Sequence, residues 1–147
     1  MKHANVSLGD RYDLKTEQVL LNGTQALVRL MLTQKWRDQQ VGKNTAGYVS
    51  GYRGSPLGGV GYGKGPGVDR TGDAFRHANH CGTTEWGGAI AAMGDDHTGE
   101  SSTILHQTDH AMMDWKMPVF APAGVQEIVD YGIHGYGLSR FASLWVG

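Results

Sequence analysis

Residues 47–67 of this chain, GYVSGYRGSPLGGVGYGKGPG, have the largest influence on the fold and function that its sequence predicts. Nine of these 21 residues are glycine, which permits positive φ angles and lets backbone N–H groups approach a ligand closely. Arg53, Ser55 and Lys64 add groups that bind a carboxylate or a phosphate. A strand-like run at 45–50 precedes them, and α/β proteins bind ligands where loops leave the carboxyl ends of strands. The stretch therefore predicts a ligand-binding loop, with an ordinary surface loop as the alternative.

The composition indicates a globular chain of 147 residues without a strong electric field. Its 13 basic residues are balanced by 14 acidic ones, which argues against nucleic acid or an anionic membrane as a partner. The single cysteine, Cys81, excludes an internal disulfide and a cysteine-rich zinc or iron–sulfur site within this chain. A cytoplasmic location is the simplest expectation, since neither a signal-peptide pattern nor a long apolar stretch is present.

The order of apolar runs and turn signals predicts an α/β fold with a mostly parallel sheet. We expect an N-terminal arm at 1–16 and one domain at 17–147. Strands are predicted at 18–21, 45–50, 88–93 and 119–121, and a last strand begins near 144. Helices are predicted at 25–41, capped by Thr24, and at 69–79, 102–115 and 125–142. The first strand, helix and strand suggest a right-handed βαβ unit.

A second polar loop, Gly94 to His97, follows the predicted strand at 88–93 and begins the densest group of possible metal ligands. His106 and His110 are four residues apart, a spacing that zinc enzymes use on one helix face. Position 107 is glutamine, however, where such enzymes carry a glutamate. Two interpretations stay open: helix caps lining an anion-accepting crevice, or a metal-dependent hydrolase. The hydrolase would use Asp95, Asp96, His97, His106 and His110.

One nucleotide-binding motif and one nucleophile motif are present only in part. Residues 58–64, GGVGYGK, fit the first part of a P-loop, but Gly65 stands where a magnesium-binding hydroxyl is needed. Residues 48–52, YVSGY, lack the first glycine of a nucleophile elbow. Neither motif predicts a function by itself.

Five longer runs carry a resemblance to a known family. They are LNGTQALVRL at 21–30, NTAGYVSGYRGSPLGG at 44–59, YGKGPGVDRTGDAFRHAN at 62–79, MGDDHTGESST at 93–103 and PAGVQEIVDYG at 122–132. Together they resemble the N-terminal, pyrimidine-binding domain of the large fused form of indolepyruvate ferredoxin oxidoreductase, a thiamine-diphosphate enzyme. The resemblance covers nearly the whole chain.

This resemblance implies a CoA-dependent oxidative decarboxylation of aryl 2-oxoacids such as indolepyruvate. The complete enzyme uses thiamine diphosphate with magnesium and passes electrons through iron–sulfur clusters to ferredoxin. The positions that match the family's cofactor-binding residues are Tyr52, Gly54, Pro56, Asp95 and Asp96. Those that match its substrate-binding residues are Arg53, Ser55 and His97.

The sequence departs from the family at several points. Between Gly59 and Gly61, family members carry a further segment with an Asn-Glu-Asp motif, whose glutamate activates the cofactor's aminopyrimidine ring. No residue of this chain takes that role, and the magnesium-holding Gly-Asp-Gly motif and the cluster cysteines are also absent from the sequence. The resemblance therefore implies an internally deleted and truncated piece that does not turn over 2-oxoacids alone. It would form a homo-oligomer or dock onto the remaining domains, and a non-catalytic interaction module is the alternative.

Overall fold

The computed structural model describes residues 7–49, 62–63, 65–102 and 104–147, and it has a mixed α/β fold. The chain divides into two compact units, Met1–Gly47 with Pro122–Ile133 and Tyr48–Ala121 with His134–Gly147. The elements are a 3-10 helix at Asp10–Tyr12, α1 Gly23–Gln40, β1 Tyr62–Gly63, α2 Gly65–Arg70, α3 Gly72–Cys81, β2 Ala89–Ile90, β3 Ala92–Met93, α4 Asp109–Asp114, α5 Val125–Ala142 and β4 Trp145–Val146. None of the described helices combines the length and hydrophobicity needed to cross a membrane.

Helix α1 confirms the helix predicted at 25–41 and corrects its cap. The cap is Asn22 instead of Thr24: the Asn22 side-chain oxygen accepts the Gln25 N–H at 2.9 Å, and the Gln25 side-chain oxygen accepts the Asn22 N–H at 3.0 Å. This reciprocal pair is a capping box, which pairs two backbone donors that would otherwise lack partners. At the other end, Gly42 has a φ of +73°, a left-handed conformation that glycine adopts without strain.

The residues before α1 are fastened to it through Arg29. Its guanidinium donates hydrogen bonds to the carbonyl oxygens of Arg11 and Thr16, both at 3.0 Å. Further along the same helix, Leu30 is buried against the backbone of Gly132. The contact of Leu30 with Gly132 and the hydrogen bonds of Arg29 therefore both help to hold the first unit together.

The predicted strands at 18–21 and 45–49 do not form, so the predicted βαβ unit is wrong; position 50 lies outside the described residues. After α1, the chain folds back onto the end of the helix through polar side chains. The Thr45 hydroxyl donates to the carboxylate of Asp38 at 2.6 Å, and Lys35 donates to the Thr45 carbonyl oxygen. Asp38 is only 3% exposed, so these bonds are shielded from water. They hold the segment against its own helix and not against a neighbouring strand.

The strand predicted at 88–93 is confirmed but changes partner in its middle. Its first half, β2, pairs in parallel with β4, and its second half, β3, pairs in parallel with β1. The change falls at Ala91, whose N–H donates to the carbonyl oxygen of Val146 at 2.8 Å. The strand predicted near the end of the chain is confirmed as β4.

The segment predicted as a strand at 119–121 is not a strand in the structure, although its backbone lies beside the last residue. Gly147 donates its N–H to the Pro118 carbonyl oxygen at 2.8 Å and accepts the Phe120 N–H at 2.9 Å. This alternation is the hydrogen-bond pattern of parallel strands. Residues 118–120 therefore lie parallel to the end of the chain after β4 and are joined to it by this one pair of hydrogen bonds among the described residues.

The helices of the second unit show one large difference from the prediction. The helix predicted at 69–79 is confirmed as α2 and α3, which meet at Thr71, and the predicted bounds of α5 are confirmed. The helix predicted at 102–115 forms only as α4, because residues 102 and 104–108 are not helical. In that region Asp96 and His106 form an isolated antiparallel bridge, which takes the backbone away from helical pairing.

The core of the second unit is aromatic and sulfur-rich. Its buried members are Val68, Ala91, Met112, Trp115 and Met117. The ring of Phe75 stacks on that of Trp115 with centroids 5.2 Å apart. Such a pair stabilises the fold by more than its buried area alone would. This core supports α2, α3, α4 and β3, the elements around the polar loop described next.

Candidate functional site

The predicted site residues fall into two groups. The first group lies in residues 50–61, outside the described residues, and its roles stay predictions: Tyr52, Arg53, Gly54, Ser55 and Pro56. The second group consists of Asp95, Asp96 and His97 in the loop after β3, and all three are described. We expect the turn centred on Ser55 to lie beside the turn centred on Asp96, and this stays a prediction because Ser55 lies outside the described residues.

The end of the glycine-rich stretch lies beside this loop. Strand β1 belongs to the stretch and pairs in parallel with β3, so the residues that follow each strand emerge at the same edge. Gly65, the first residue of α2, has its N–H 3.2 Å from Nδ1 of His106. A side chain at position 65 would overlap the His106 ring, so a glycine is what lets this backbone approach.

Asp95 is held by three groups and is nearly buried. One carboxylate oxygen accepts the N–H of Thr108 at 2.8 Å and its hydroxyl at 3.0 Å. The other oxygen lies 3.3 Å from Nδ1 of His106. The two side chains of this pair are 13% and 9% exposed, so little water competes for the contact. Asp95 thereby fixes both the start of α4 and the orientation of an imidazole ring.

Asp96, the next residue, shapes the turn that follows. Its carboxylate accepts the N–H groups of Glu100 and Ser101, both at 2.9 Å, and the Ser101 hydroxyl at 3.1 Å. Its backbone carbonyl accepts the N–H of Gly99 at 3.1 Å, and Gly99 has a φ of +71°. Aspartate commonly closes turns in this way. The predicted cofactor-binding role of Asp95 and Asp96 stays a prediction, and any ligand bound by these carboxylates would have to displace the chain's own groups.

The predicted metal cluster is not assembled in the described part of the chain. No three side chains of His, Cys, Asp or Glu there are placed to hold one ion. The helical spacing predicted for His106 and His110 is wrong, because α4 begins at Asp109 and His106 precedes it. His97 and His110 are both exposed. Of the proposed hydrolase ligands, Asp95 and His106 contact each other through their side chains.

Sequence reasoning missed two of the residues that complete this site. Ser102 has its hydroxyl oxygen 3.4 Å from Nε2 of His106, and Thr108 binds the Asp95 carboxylate as described above. The available signal was the close spacing of an aspartate, a serine and a histidine at positions 95, 102 and 106. The nucleophile-elbow pattern points only to residues 48–52 and therefore does not indicate Ser102.

Comparison with known proteins gives no match to this chain. No family model, no curated protein and no solved structure is similar to it.

Proposed function

We propose that this chain is part of a thiamine-diphosphate-dependent 2-oxoacid:ferredoxin oxidoreductase of the indolepyruvate type, and corresponds to an incomplete pyrimidine-binding domain. The complete enzyme would carry out the CoA-dependent oxidative decarboxylation of aryl 2-oxoacids. This chain would contribute groups that recognise the 2-oxoacid, without completing the reaction by itself.

The observation that carries the proposal is the parallel pairing of β1 with β3. It brings the end of the glycine-rich stretch next to the loop at Gly94 to His97, and both lie in runs that carry the resemblance. Backbone N–H groups of a glycine-rich turn and a guanidinium are suited to a carboxylate. We therefore assign recognition of the substrate carboxylate to the turn that contains Arg53 and Ser55.

The described residues do not fit the diphosphate end of the cofactor. No described group of side chains could hold the magnesium ion that accompanies a diphosphate, and the carboxylates of Asp95 and Asp96 bind groups of their own chain. The sequence also lacks a counterpart of the family's activating glutamate between Gly59 and Gly61. We therefore assign no step of the 2-oxoacid reaction to this chain, and limit this proposal to binding.

The binding part is tested by titrating the purified chain with indolepyruvate in a calorimeter. We expect measurable binding that Arg53→Ala weakens about tenfold or more, because a hydrogen-bonded charge pair contributes about 1.5–3 kcal/mol. Arg70→Ala removes an exposed arginine from α2 and is the matched control, with affinity expected within about twofold of the unsubstituted chain. Absence of binding, or equal weakening by both substitutions, contradicts the proposal.

The second part is tested by supplying thiamine diphosphate, magnesium, indolepyruvate, coenzyme A and an artificial electron acceptor. We expect no sustained reduction of the acceptor, because no residue is assigned to activate the aminopyrimidine ring. Sustained reduction by the purified chain would show that this assignment is wrong. Indolepyruvate binding in the preceding titration would stand independently of that result.

A further inference from the structure

Three side chains of the second unit form a continuous line of polar contacts. The Ser102 hydroxyl oxygen lies 3.4 Å from Nε2 of His106, and Nδ1 of the same ring lies 3.3 Å from a carboxylate oxygen of Asp95. In serine hydrolases the nucleophile contacts one ring nitrogen and the orienting carboxylate contacts the other, on unrelated folds and in different chain orders. Such contacts are often long in unliganded sites and shorten when a substrate binds.

The ring of His106 is placed to act as a base toward Ser102. Thr108 donates two hydrogen bonds to one oxygen of Asp95, which leaves the other oxygen to accept a proton from Nδ1. The N–H of Gly65 donates to Nδ1 at 3.2 Å in the tautomer that has a lone pair there, so His106 works as a base toward Ser102 only in the other tautomer, in which Nδ1 carries the proton and bonds Asp95 instead. With the proton on Nδ1, the lone pair of Nε2 faces the Ser102 hydroxyl.

The backbone before Ser102 is held by hydrogen bonds, and the Ser102 side chain is partly exposed. Asp96 accepts the N–H groups of Glu100 and Ser101, the two residues immediately before it. The antiparallel bridge between Asp96 and His106 closes the same loop from the other side. A fixed nucleophile that a substrate can reach is the arrangement that nucleophilic catalysis requires.

We propose that Ser102 is a nucleophile that accepts acyl groups from carboxylic esters, with His106 as the general base and Asp95 as the residue that positions the ring. The Ser102 oxygen forms a bond to the acyl carbon, and its proton moves to Nε2 of His106. The bond from the acyl carbon to the leaving oxygen breaks, and that oxygen takes the proton and departs as an alcohol. Water then attacks the acyl group with His106 as base, and the carboxylic acid and the free serine are restored.

The proposal is tested by labelling the full chain with a fluorophosphonate, which forms a bond from Ser102 to phosphorus and releases fluoride with the serine proton. We expect one adduct, mapped to Ser102 by peptide mass spectrometry, and a burst of p-nitrophenol from p-nitrophenyl acetate. His106→Gln is expected to slow labelling at least tenfold, as loss of a general base does. Asp95→Asn is expected to slow it by a smaller factor.

A matched control distinguishes a serine activated through His106 and Asp95 (the Ser102 relay) from a serine that is merely exposed. His110→Gln removes an exposed histidine of α4 and should leave the labelling rate within twofold. Circular dichroism verifies that each variant is folded. If His106→Gln is not folded, the proposal is judged by the labelling rate of Asp95→Asn relative to that of the unsubstituted chain. An unlabelled Ser102, or one labelled equally fast with and without these side chains, overturns the proposal.

Discussion

Replacing Asn79 with alanine is expected to destabilise the second unit by about 3 kcal/mol, because its side chain makes three hydrogen bonds that are hidden from water. Asn79 is 6% exposed. Its amide nitrogen donates to the carbonyl oxygens of Trp115 at 3.0 Å and Lys116 at 2.9 Å. Its side-chain oxygen accepts the N–H of Trp145 at 3.0 Å. One residue of α3 thus ties together the end of α4 and the start of β4.

The magnitude follows from the number of bonds and from what their loss leaves behind. Each buried hydrogen bond contributes about 1 kcal/mol net, and a buried donor or acceptor left unpaired costs about 1–3 kcal/mol. Lys116 has a φ of +61°, a strained conformation for a residue with a side chain, and the bond from Asn79 helps to hold it there. Asn79→Asp keeps the acceptor but turns a carboxylate toward two carbonyl oxygens. We expect it to lose at least as much stability.

The assay is urea unfolding followed by tryptophan fluorescence, since Trp115 and Trp145 lie at the altered bonds. With a denaturant slope of about 1–3 kcal/mol per molar, the midpoint should fall by roughly 1–3 M at an unchanged slope. Asn44→Ala is the matched control, because Asn44 is exposed and accepts one bond from Lys35 at 3.0 Å. Its effect should stay within about 0.5 kcal/mol. An equally small effect of Asn79→Ala would refute the reasoning, because it would mean that water replaces all three bonds.

Three further substitutions test the first unit and α5 by thermal unfolding and circular dichroism. Gly132→Ala would place a methyl group on the buried side chain of Leu30, and this overpacking, about 1–3 kcal/mol, should outweigh the helix propensity gained. In the same helix, Gly137→Ala meets no atom within 4 Å and should stabilise by about 0.5–1 kcal/mol; equal effects of the two would contradict the packing argument. Asn22→Ala removes the acceptor for the Gln25 N–H and should cost about 1 kcal/mol with a loss of ellipticity at 222 nm, whereas no change would show that the capping box is dispensable.

The sequence predicted those elements best whose signals are local. Helix α1 follows the turn residues Asn22 and Gly23, and α5 follows Pro122 and Gly124, so both helices were placed within a few residues. The small apolar run at 88–93 also identified its strand. Its change of partner at Ala91 was not predictable, because it depends on β1 and β4, which lie far away in sequence.

Two of the failures share one physical cause, the competition of polar side chains for the backbone. The run at 45–49 has strand-forming residues, but Thr45 is bound to Asp38 and Lys35 of the preceding helix. Residues 102 and 104–108 have an acceptable helical pattern, yet the turn closed by Asp96 directs this part of the chain into a bridge with His106. Propensity ranks the local options, and a few buried hydrogen bonds then choose among them.

The adjacent aspartates show how the two proposals differ in what they require. The Asp95 carboxylate serves His106 and Thr108, so a ligand that bound this carboxylate would disconnect the ring from its orienting group. Recognition of a 2-oxoacid through Arg53 makes no such demand and leaves the Ser102 relay intact. Suppose that indolepyruvate slows the labelling of Ser102 by a fluorophosphonate, while Arg53→Ala still weakens indolepyruvate binding by the same factor. The bound ligand and His106 would then compete for Asp95. If indolepyruvate binds without slowing the labelling of Ser102, binding of the 2-oxoacid and the nucleophile Ser102 would use different residues of the second unit.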